Sequence, residues 1–328
     1  MTLTIELGVA ELAATRFAIS PLSETVACLQ QVAGRDRHAV NLPWLRWAQD
    51  ELGREPLDLA RTWPLIVNDR RSWPEFLVPA PRDQGASIED DLAAVLRTTA
   101  RQVRASLRRV FGDDLPDAAA ALAARPAAGL RAIVAELRAA HDRLVAPHWP
   151  RIRAVLDADV AHRARQLAAG GAERLFADLH PDLRWSEGWL RLAGERWRPE
   201  RVVNRGPGGL VLIPVVLGPS HVLIKKSTST QTTVRYPARG TGALWTAGTR
   251  PPSGSAVRLL GRPRAELLQA LCSPATTTDL ARALGVTPSA VSQHLGVLRD
   301  SGLVARERAG RHVLYLTTAL GAALLRRS

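Results

Sequence analysis

Apolar residues recur at helical spacing in a short segment near the end of the chain, TPSAVSQHLGVLRDSG (residues 287–302). Thr287 is suited to cap the first free amides of a helix, and Pro288 stands where a missing N–H costs nothing. Gly302 suits the left-handed residue that ends a helix. The inner face would consist of Val291, Leu295 and Leu298. The pattern therefore predicts one short helix here, with small polar side chains on its outer face.

A second short helix is predicted just upstream, in TTTDLARALGV (residues 276–286). Thr276 and Asp279 are spaced as a capping box, and apolar residues at 280, 281 and 284 form its inner face. Three residues including Gly285 separate the two helices. Two short helices joined in this way form the helix-turn-helix pattern, whose second helix enters the major groove of DNA.

A β-hairpin is predicted directly after these helices. LVARER and RHVLYL (303–308 and 311–316) are strand-like and flank the tight-turn dipeptide Ala309-Gly310. The tip of the hairpin would carry Arg306, Arg308, Arg311 and His312.

The first 180 residues have mostly helical patterns. Residues 9–20 are predicted as a helix broken from the next at Ser20-Pro21, and residues 87–112 as one long helix capped by Ser87. A further helical stretch is interrupted at Pro147 and stops at Gly170-Gly171. Between 181 and 245, short β-rich runs separated by Gly, Pro and Asn predict a small antiparallel sheet.

The segment from about 257 to 326, with the helices and hairpin above, resembles the winged helix-turn-helix domain of ArsR-type bacterial repressors. The resemblance implies that the second helix contacts bases, and that the hairpin, or wing, contacts the DNA backbone. The implied base-contacting residues are Ser289, Ala290, Ser292, Gln293 and His294. The implied backbone-contacting residues are Thr287, Arg306, Arg308, Arg311 and His312.

Three earlier segments, RFAISPLSETVACLQ, HWPRIRAVLDADVAHRARQLAAGG and YPARGTGALW, resemble an N-terminal domain that accompanies such winged helices in a group of bacterial regulators. The resemblance supplies no ligand. The expected fold class is α+β, mainly α. We predict a helical region over 1–180, a small β-rich subdomain packed on it over 181–245, a linker over 246–256 and a winged helix-turn-helix over 257–328.

The distribution of charge favours DNA as a partner. The chain has a formal net charge of +13, and residues 253–328 contain ten arginines and four acidic residues, a net charge of +6. This density suits the release of counterions from DNA phosphates. The two cysteines predict no disulfide framework, and the longest apolar run is too short to span a bilayer, so a cytoplasmic protein without membrane contact is expected.

Neither a metal nor another cofactor is expected. Metal-sensing ArsR-type proteins carry Cys, Asp or His pairs in segments that here read TTTDLARAL and ALGAALLRRS, which lack such a ligand set. A separate cluster of His141, His148, Asp159 and His162 is conceivable, but histidines on polar helix faces are usually solvated. Phosphate-binding loops and hydrolase motifs are absent from the sequence, so an enzyme is not expected.

The nine tryptophans all precede the predicted linker. Large rigid aromatics can line a pocket for an apolar or aromatic ligand, although most of these residues are as well explained as core. The candidate pocket residues are Trp44, Trp47, Trp149, Trp185 and Trp189.

Two hypotheses for the whole chain remain open. The first is a ligand-responsive repressor, a homodimer on a pseudo-palindromic operator whose effector is a non-metal small molecule. The second gives the N-terminal region the role of a protein-interaction module that responds to a partner polypeptide.

Overall fold

The computed structural model describes residues 2–35, 39–70, 72–82, 85–193, 208–225, 231–246, 254–271, 275–284, 286–309 and 312–326. Its helices are α1 (Val9–Ala13), α2 (Pro21–Val32), α3 (Leu42–Arg54), α4 (Trp63–Ile66), α5 (Ile88–Leu96), α6 (Ala100–Phe111), α7 (Asp117–Ala124), α8 (Pro126–Ala140), α9 (Trp149–Leu179), α10 (Thr241–Thr246), α11 (Gly254–Leu260), α12 (Arg262–Ala270), α13 (Thr277–Leu284), α14 (Pro288–Asp300) and α15 (Ala319–Arg326). Its strands are β1 (Thr2–Glu6), β2 (Arg16–Phe17), β3 (Leu183–Ser186), β4 (Trp189–Ala193), β5 (Val211–Val215), β6 (Leu223–Lys225), β7 (Thr233–Pro237), β8 (Val304–Ala309) and β9 (His312–Thr317). The prediction of a mainly α, α+β protein is confirmed.

The chain divides into two compact units. The N-terminal unit comprises Met1–Arg37 and Glu51–Arg239, and the C-terminal unit comprises His38–Asp50 and Gly240–Ser328. The boundary therefore falls within α3, and an early segment of the chain belongs with the C-terminal unit. The domain limits predicted from the sequence stay predictions. Among the described residues, no helix is both long and apolar enough to cross a membrane.

Two small sheets lie in the N-terminal unit. One is antiparallel, in the order β1-β4-β3, and the other has the order β2-β5-β7-β6. The second sheet is mixed, because β2 and β7 run parallel to β5 while β6 runs antiparallel to β7. Strands β1 and β2 come from the first 17 residues. The prediction of one helix over 9–20 is therefore wrong in its second half, where β2 pairs with β5 across nearly 200 residues.

The sheets enclose an apolar core with the last part of α9. Leu3 and Ile5 of β1 point into it beside Phe176, and all three side chains are almost fully buried. The alternation of apolar residues in TLTIE was the sequence signal for β1. Helical geometry stops at Gly170-Gly171, as predicted: both glycines have non-helical backbone angles, with a φ of 65° at Gly171, and a second helical segment follows them within α9.

Two other helix boundaries follow from caps. Ser87 caps α5 as predicted, with its side chain accepting from the N–H of Asp90. The predicted single helix over 87–112 is wrong, because Thr99 caps a separate helix α6. The N–H of Gln102 donates to Thr99 Oγ1 (3.3 Å) and the N–H of Thr99 donates to Gln102 Oε1 (2.9 Å). This reciprocal pair is a capping box and starts a new helix.

Candidate DNA-binding interface

Helix α14 begins and ends where its sequence predicts. Thr287 Oγ1 accepts a hydrogen bond from the N–H of Ala290 (3.3 Å), and Pro288 is the first helical residue. At the other end Gly302 has a φ of 70°. The N–H of Gly302 donates to the carbonyl of Arg299 (2.8 Å) and that of Leu303 to the carbonyl of Leu298 (2.9 Å). These two bonds form the Schellman motif that closes a helix.

The two faces of α14 have different environments. Val291, Leu295 and Leu298 are buried in the apolar core of the C-terminal unit. Ser289, Ser292 and Gln293 are exposed, while Ala290 and His294 are half-buried. The structure thus places three of the five predicted base-contacting residues on the outward side of the first two turns, with Ala290 and His294 at the margins of the buried face. A helix so anchored can present small polar groups to base edges.

Helix α13 packs against α14 as the first helix of the pair. Leu280 and Ala281 of α13 are buried in the same core. The N–H of Val286, in the turn between the helices, donates to the carbonyl of Ala281 (3.0 Å). The side chain of Asp279 is outside the described residues, so the capping box predicted with Thr276 stays a prediction.

The predicted hairpin forms the wing. Strands β8 and β9 pair antiparallel from Val304 opposite Thr317 to Ala309 opposite His312. A two-bond bridge between Ala275 and Tyr315 adds the segment that precedes α13 to this sheet.

The predicted backbone-contacting residues lie just before α14 and on the wing. The side chains of Thr287 and Arg306 are exposed. Arg308 and His312 lie on β8 and β9, with side chains outside the described residues, and Arg311 is wholly outside them.

The tryptophans of the predicted effector pocket are divided between the two units. Trp44 (1% exposed) and Trp47 lie in the C-terminal unit, whereas Trp149, Trp185 and Trp189 lie in the N-terminal unit. Two of these tryptophans thus belong with the C-terminal unit although they lie far before the predicted linker. The reason is tertiary: helix α10 packs against both α13 and the segment 39–41, where Trp245 Nε1 donates to Asn41 Oδ1 (3.1 Å).

The three tryptophans of the N-terminal unit lie on regular elements of the fold: one begins α9, and the other two lie on β3 and β4. Trp185 packs against the sheet core and donates from Nε1 to the carbonyl of Leu7 (3.1 Å). Trp189 is half-buried on β4, and the Trp149 ring lies edge-on to His141 at 6.3 Å. The role of all five tryptophans in ligand binding stays a prediction.

A cleft of about 460 Å³ lies within the N-terminal unit, between residues 60–64 and helices α7 and α8. None of the described tryptophans lines it. Its lining includes Pro64, Ala121, Leu122 and Ile133, together with Arg61 and Asp117. Its volume falls in the range of small-molecule pockets.

The histidines considered as metal ligands have other partners. His141 Nδ1 hydrogen-bonds to Thr25 Oγ1 (3.1 Å), and His162 Nε2 to Asp178 Oδ2 (2.9 Å). In the part of the chain that the structure describes, no three His, Cys, Asp or Glu residues are grouped to hold a metal ion.

Asp159, the fourth of those residues, is part of a buried network between α9 and β7. Its two oxygens accept from Tyr236 Oη (2.8 Å) and from the N–H of Arg239 (3.0 Å). Arg163, one turn later, forms ion pairs with Asp159 (3.4 Å) and with Asp178. This network connects the long helix to the sheet.

Buried charges around α2 were not found from the sequence. Glu24, in its first turn, accepts hydrogen bonds from the N–H groups of Val216 (2.6 Å) and Leu217 (2.8 Å). Burial raises the pKa of Glu24 to about 7. The sequence signal was an acidic residue among apolar ones in ISPLSETVACL, which alone does not distinguish a buried carboxylate from an exposed one.

Asp91 of α5 lies beside the first turn of α2. It accepts from Ser20 Oγ (2.7 Å) and from the N–H of Leu22 (3.1 Å). Burial raises its pKa to about 6, against the effect of these hydrogen bonds. Free N–H groups in the first turn of α2 thus donate hydrogen bonds to side chains of the protein itself.

Comparison with known proteins agrees with the geometry of the C-terminal unit. Residues 263–306 match the model of the bacterial regulatory protein family arsR, and residues 112–242 match a family of unknown function (DUF5937). The C-terminal segment is therefore an ArsR-family helix-turn-helix, as its sequence predicts, and a separate N-terminal region accompanies it.

A curated relative supports the same class. The HTH-type transcriptional regulator NmtR of Mycobacterium tuberculosis is 51% identical over 49 residues, which are 15% of this chain and 41% of that protein. The chain thus spans less than half the length of this relative. The family of the C-terminal segment and this relative both indicate a transcription regulator, a class without enzymatic activity. No solved structure matches the chain.

Proposed function

We propose that the chain is a sequence-specific DNA-binding transcriptional repressor of the bacterial cytoplasm. The observation that carries this proposal is the division of α14 into a buried apolar face and an exposed face bearing Ser289, Ser292 and Gln293. Exposed side chains of this kind are suited to read base edges in the major groove. Arg306 and Arg308 on the wing would neutralise phosphates.

We further propose that the protein acts as a homodimer. Two copies of α14 would enter successive major grooves about 34–36 Å apart, so the operator would be pseudo-palindromic. Leu259 of α11 and Leu320 of α15 are 69% and 60% exposed, which supports an additional apolar contact in the C-terminal unit.

The N-terminal unit would hold the regulatory ligand, a small molecule other than a metal ion. The largely apolar lining of the cleft beside α7 and α8 supports a ligand with an apolar or aromatic body. Such a ligand can release DNA only if it binds more tightly to the conformation that does not bind DNA.

The experiment that tests this function is a selection of genomic fragments by the purified protein, followed by footprinting of the best ones. We expect a protected pseudo-palindrome near a promoter, bound by two copies of the chain. Weak binding that ignores sequence and disappears with salt would contradict the proposal, and would favour a protein-interaction module that needs a partner polypeptide.

A further inference from the structure

One face of the four-stranded sheet carries a cluster of cationic and hydroxyl side chains. Thr233 and Arg235 are two positions apart on β7, and Lys225 of β6 lies opposite Thr233 in the antiparallel pairing. Side chains at alternate positions of a strand share a face. The Trp73 ring lies beside both cations, with its centroid 5.1 Å from Lys225 Nζ and 5.6 Å from Arg235 Cζ.

Several hydrogen-bond donors of this cluster are buried without a partner among the described residues. They are Nε and Nη2 of Arg235, Oγ1 of Thr233 and Nε1 of Trp73. Arg235 and Thr233 are each only 4% exposed. Nε and Nη2 form the edge of the guanidinium that binds a carboxylate or phosphate with two parallel hydrogen bonds.

Within the described part of the chain, no carboxylate hydrogen-bonds to this edge. Glu24 accepts from two backbone N–H groups after β5, and Asp91 accepts from Ser20 and a backbone N–H of α2. Burial lowers the pKa of Arg235 to about 10, while Glu24 and Asp91 act in the opposite direction through their charges. Arg235 is therefore still charged at neutral pH, and a buried charge needs a paired group of opposite sign.

Lys225 adds a second basic group to this face. Its ammonium donates to the carbonyl of Pro74 (3.0 Å). Burial and then the neighbouring Arg235 charge lower the pKa of Lys225 well below its ordinary value. A bound anion would favour the protonated form of Lys225 beside the charged Arg235.

A small cavity adjoins Arg235, between α2 and the sheet. Its lining includes Ala27, Gln30, Val215, His221 and Leu223. The cavity lies near the carboxyl end of β5, and ligands of open sheets with parallel strands bind at such ends. In the present conformation it has room for about one water molecule.

We propose that this face binds an oxyanion, the carboxylate or phosphate group of a small molecule, with Arg235 as the two-point donor. Thr233 and Trp73 complete the hydrogen bonding, and apolar residues beside Arg235 contact the body of the ligand. Because the cavity is small, binding requires a local shift of α2 or of Arg235. Bound and free states then differ, as a regulatory site requires. The role of this ligand as a second regulatory ligand, besides the one proposed for the cleft beside α7 and α8, rests on the proposed function, whereas its binding does not.

The test is a thermal-unfolding titration of the full chain with sodium phosphate and, separately, with sodium benzoate at constant ionic strength. We expect a saturable rise in Tm with one of the two probes, which also tells a phosphate ligand from a carboxylate ligand. Arg235→Gln should weaken binding about tenfold or more, and Thr233→Val about two- to tenfold. Arg101→Gln, at an exposed arginine of α6, is the matched control and should respond as the wild type.

Tryptophan fluorescence gives a local readout that does not depend on Arg235→Gln folding well. The saturable probe should change the emission of the wild type, and Trp73→Phe should remove most of that change. Equal, unsaturable responses of Arg235→Gln and the wild type, or no saturable response of the wild type to either probe, would overturn the proposal. Operator binding is measured separately without phosphate or benzoate, so its failure would refute the proposed function alone.

Discussion

Gln293 provides the sharpest test of how α14 reads DNA. Its side chain is exposed, on the side of the helix opposite Val291 and Leu295. Gln293→Ala should therefore change the free energy of unfolding by no more than about 0.5 kcal/mol. A paired contact of glutamine with a base contributes about 1–3 kcal/mol of discrimination. Affinity for the best operator should consequently fall about 5- to 150-fold, with little loss on unrelated DNA.

The measurement is fluorescence anisotropy at fixed salt with the operator, each of its single-base variants and an unrelated duplex. Ser301→Ala is the matched control, because Ser301 is an exposed polar residue just after the other end of the same helix. The control should retain both affinity and sequence preference. Equal loss by Gln293→Ala on every duplex, with the order of preference unchanged, would refute the assignment of base contacts to this face.

Four further predictions concern the wing, two packed positions of the C-terminal unit and one buried carboxylate of the N-terminal unit. Arg308→Ala should weaken binding to all duplexes alike and reduce the slope of log K against log salt by about 1; an altered sequence preference would contradict this role. Leu295→Ala, at a buried position of α14, should lower the unfolding free energy by about 2–5 kcal/mol in denaturant titrations, and a cost below 1 would show that the site is not core. Gly321→Ala would place a Cβ 2.3 Å from a backbone carbonyl oxygen and should cost about 1–3 kcal/mol by the same method, whereas an unchanged midpoint would exclude this close approach. Because burial raises the pKa of Glu24 from 4.5 to about 7, its contribution to stability is full below pH 4.5 and is lost, by about 3 kcal/mol, as the pH rises through 7. Glu24→Gln should reduce the slope of unfolding free energy against pH in this range, leaving the part due to Asp91, and curves parallel to the wild type would refute the assignment.

The helix-turn-helix could be predicted because its signals are local. The cap at Thr287, the proline after it and the left-handed Gly302 each act within one turn of α14, and its apolar spacing selects one buried face. The break between α5 and α6 was equally local, in the pair Thr99 and Gln102, but the continuous apolar pattern across it favoured a single helix. Local chemistry of this kind is independent of the rest of the fold.

The arrangement of the N-terminal unit and its buried charges depended on contacts distant in sequence. Strand β2 has two residues and exists only because β5 lies beside it, and segment 39–41 joins the C-terminal unit through a residue two hundred positions away. In TTVRYPA, Arg235 looks like any solvated arginine; only the packing of Trp73 and α2 removes it from water. Elements stabilised by neighbouring residues, such as α14, can be derived from the sequence. Which charges are buried depends on the tertiary structure, because the burial of a side chain is set by all the residues that pack around it.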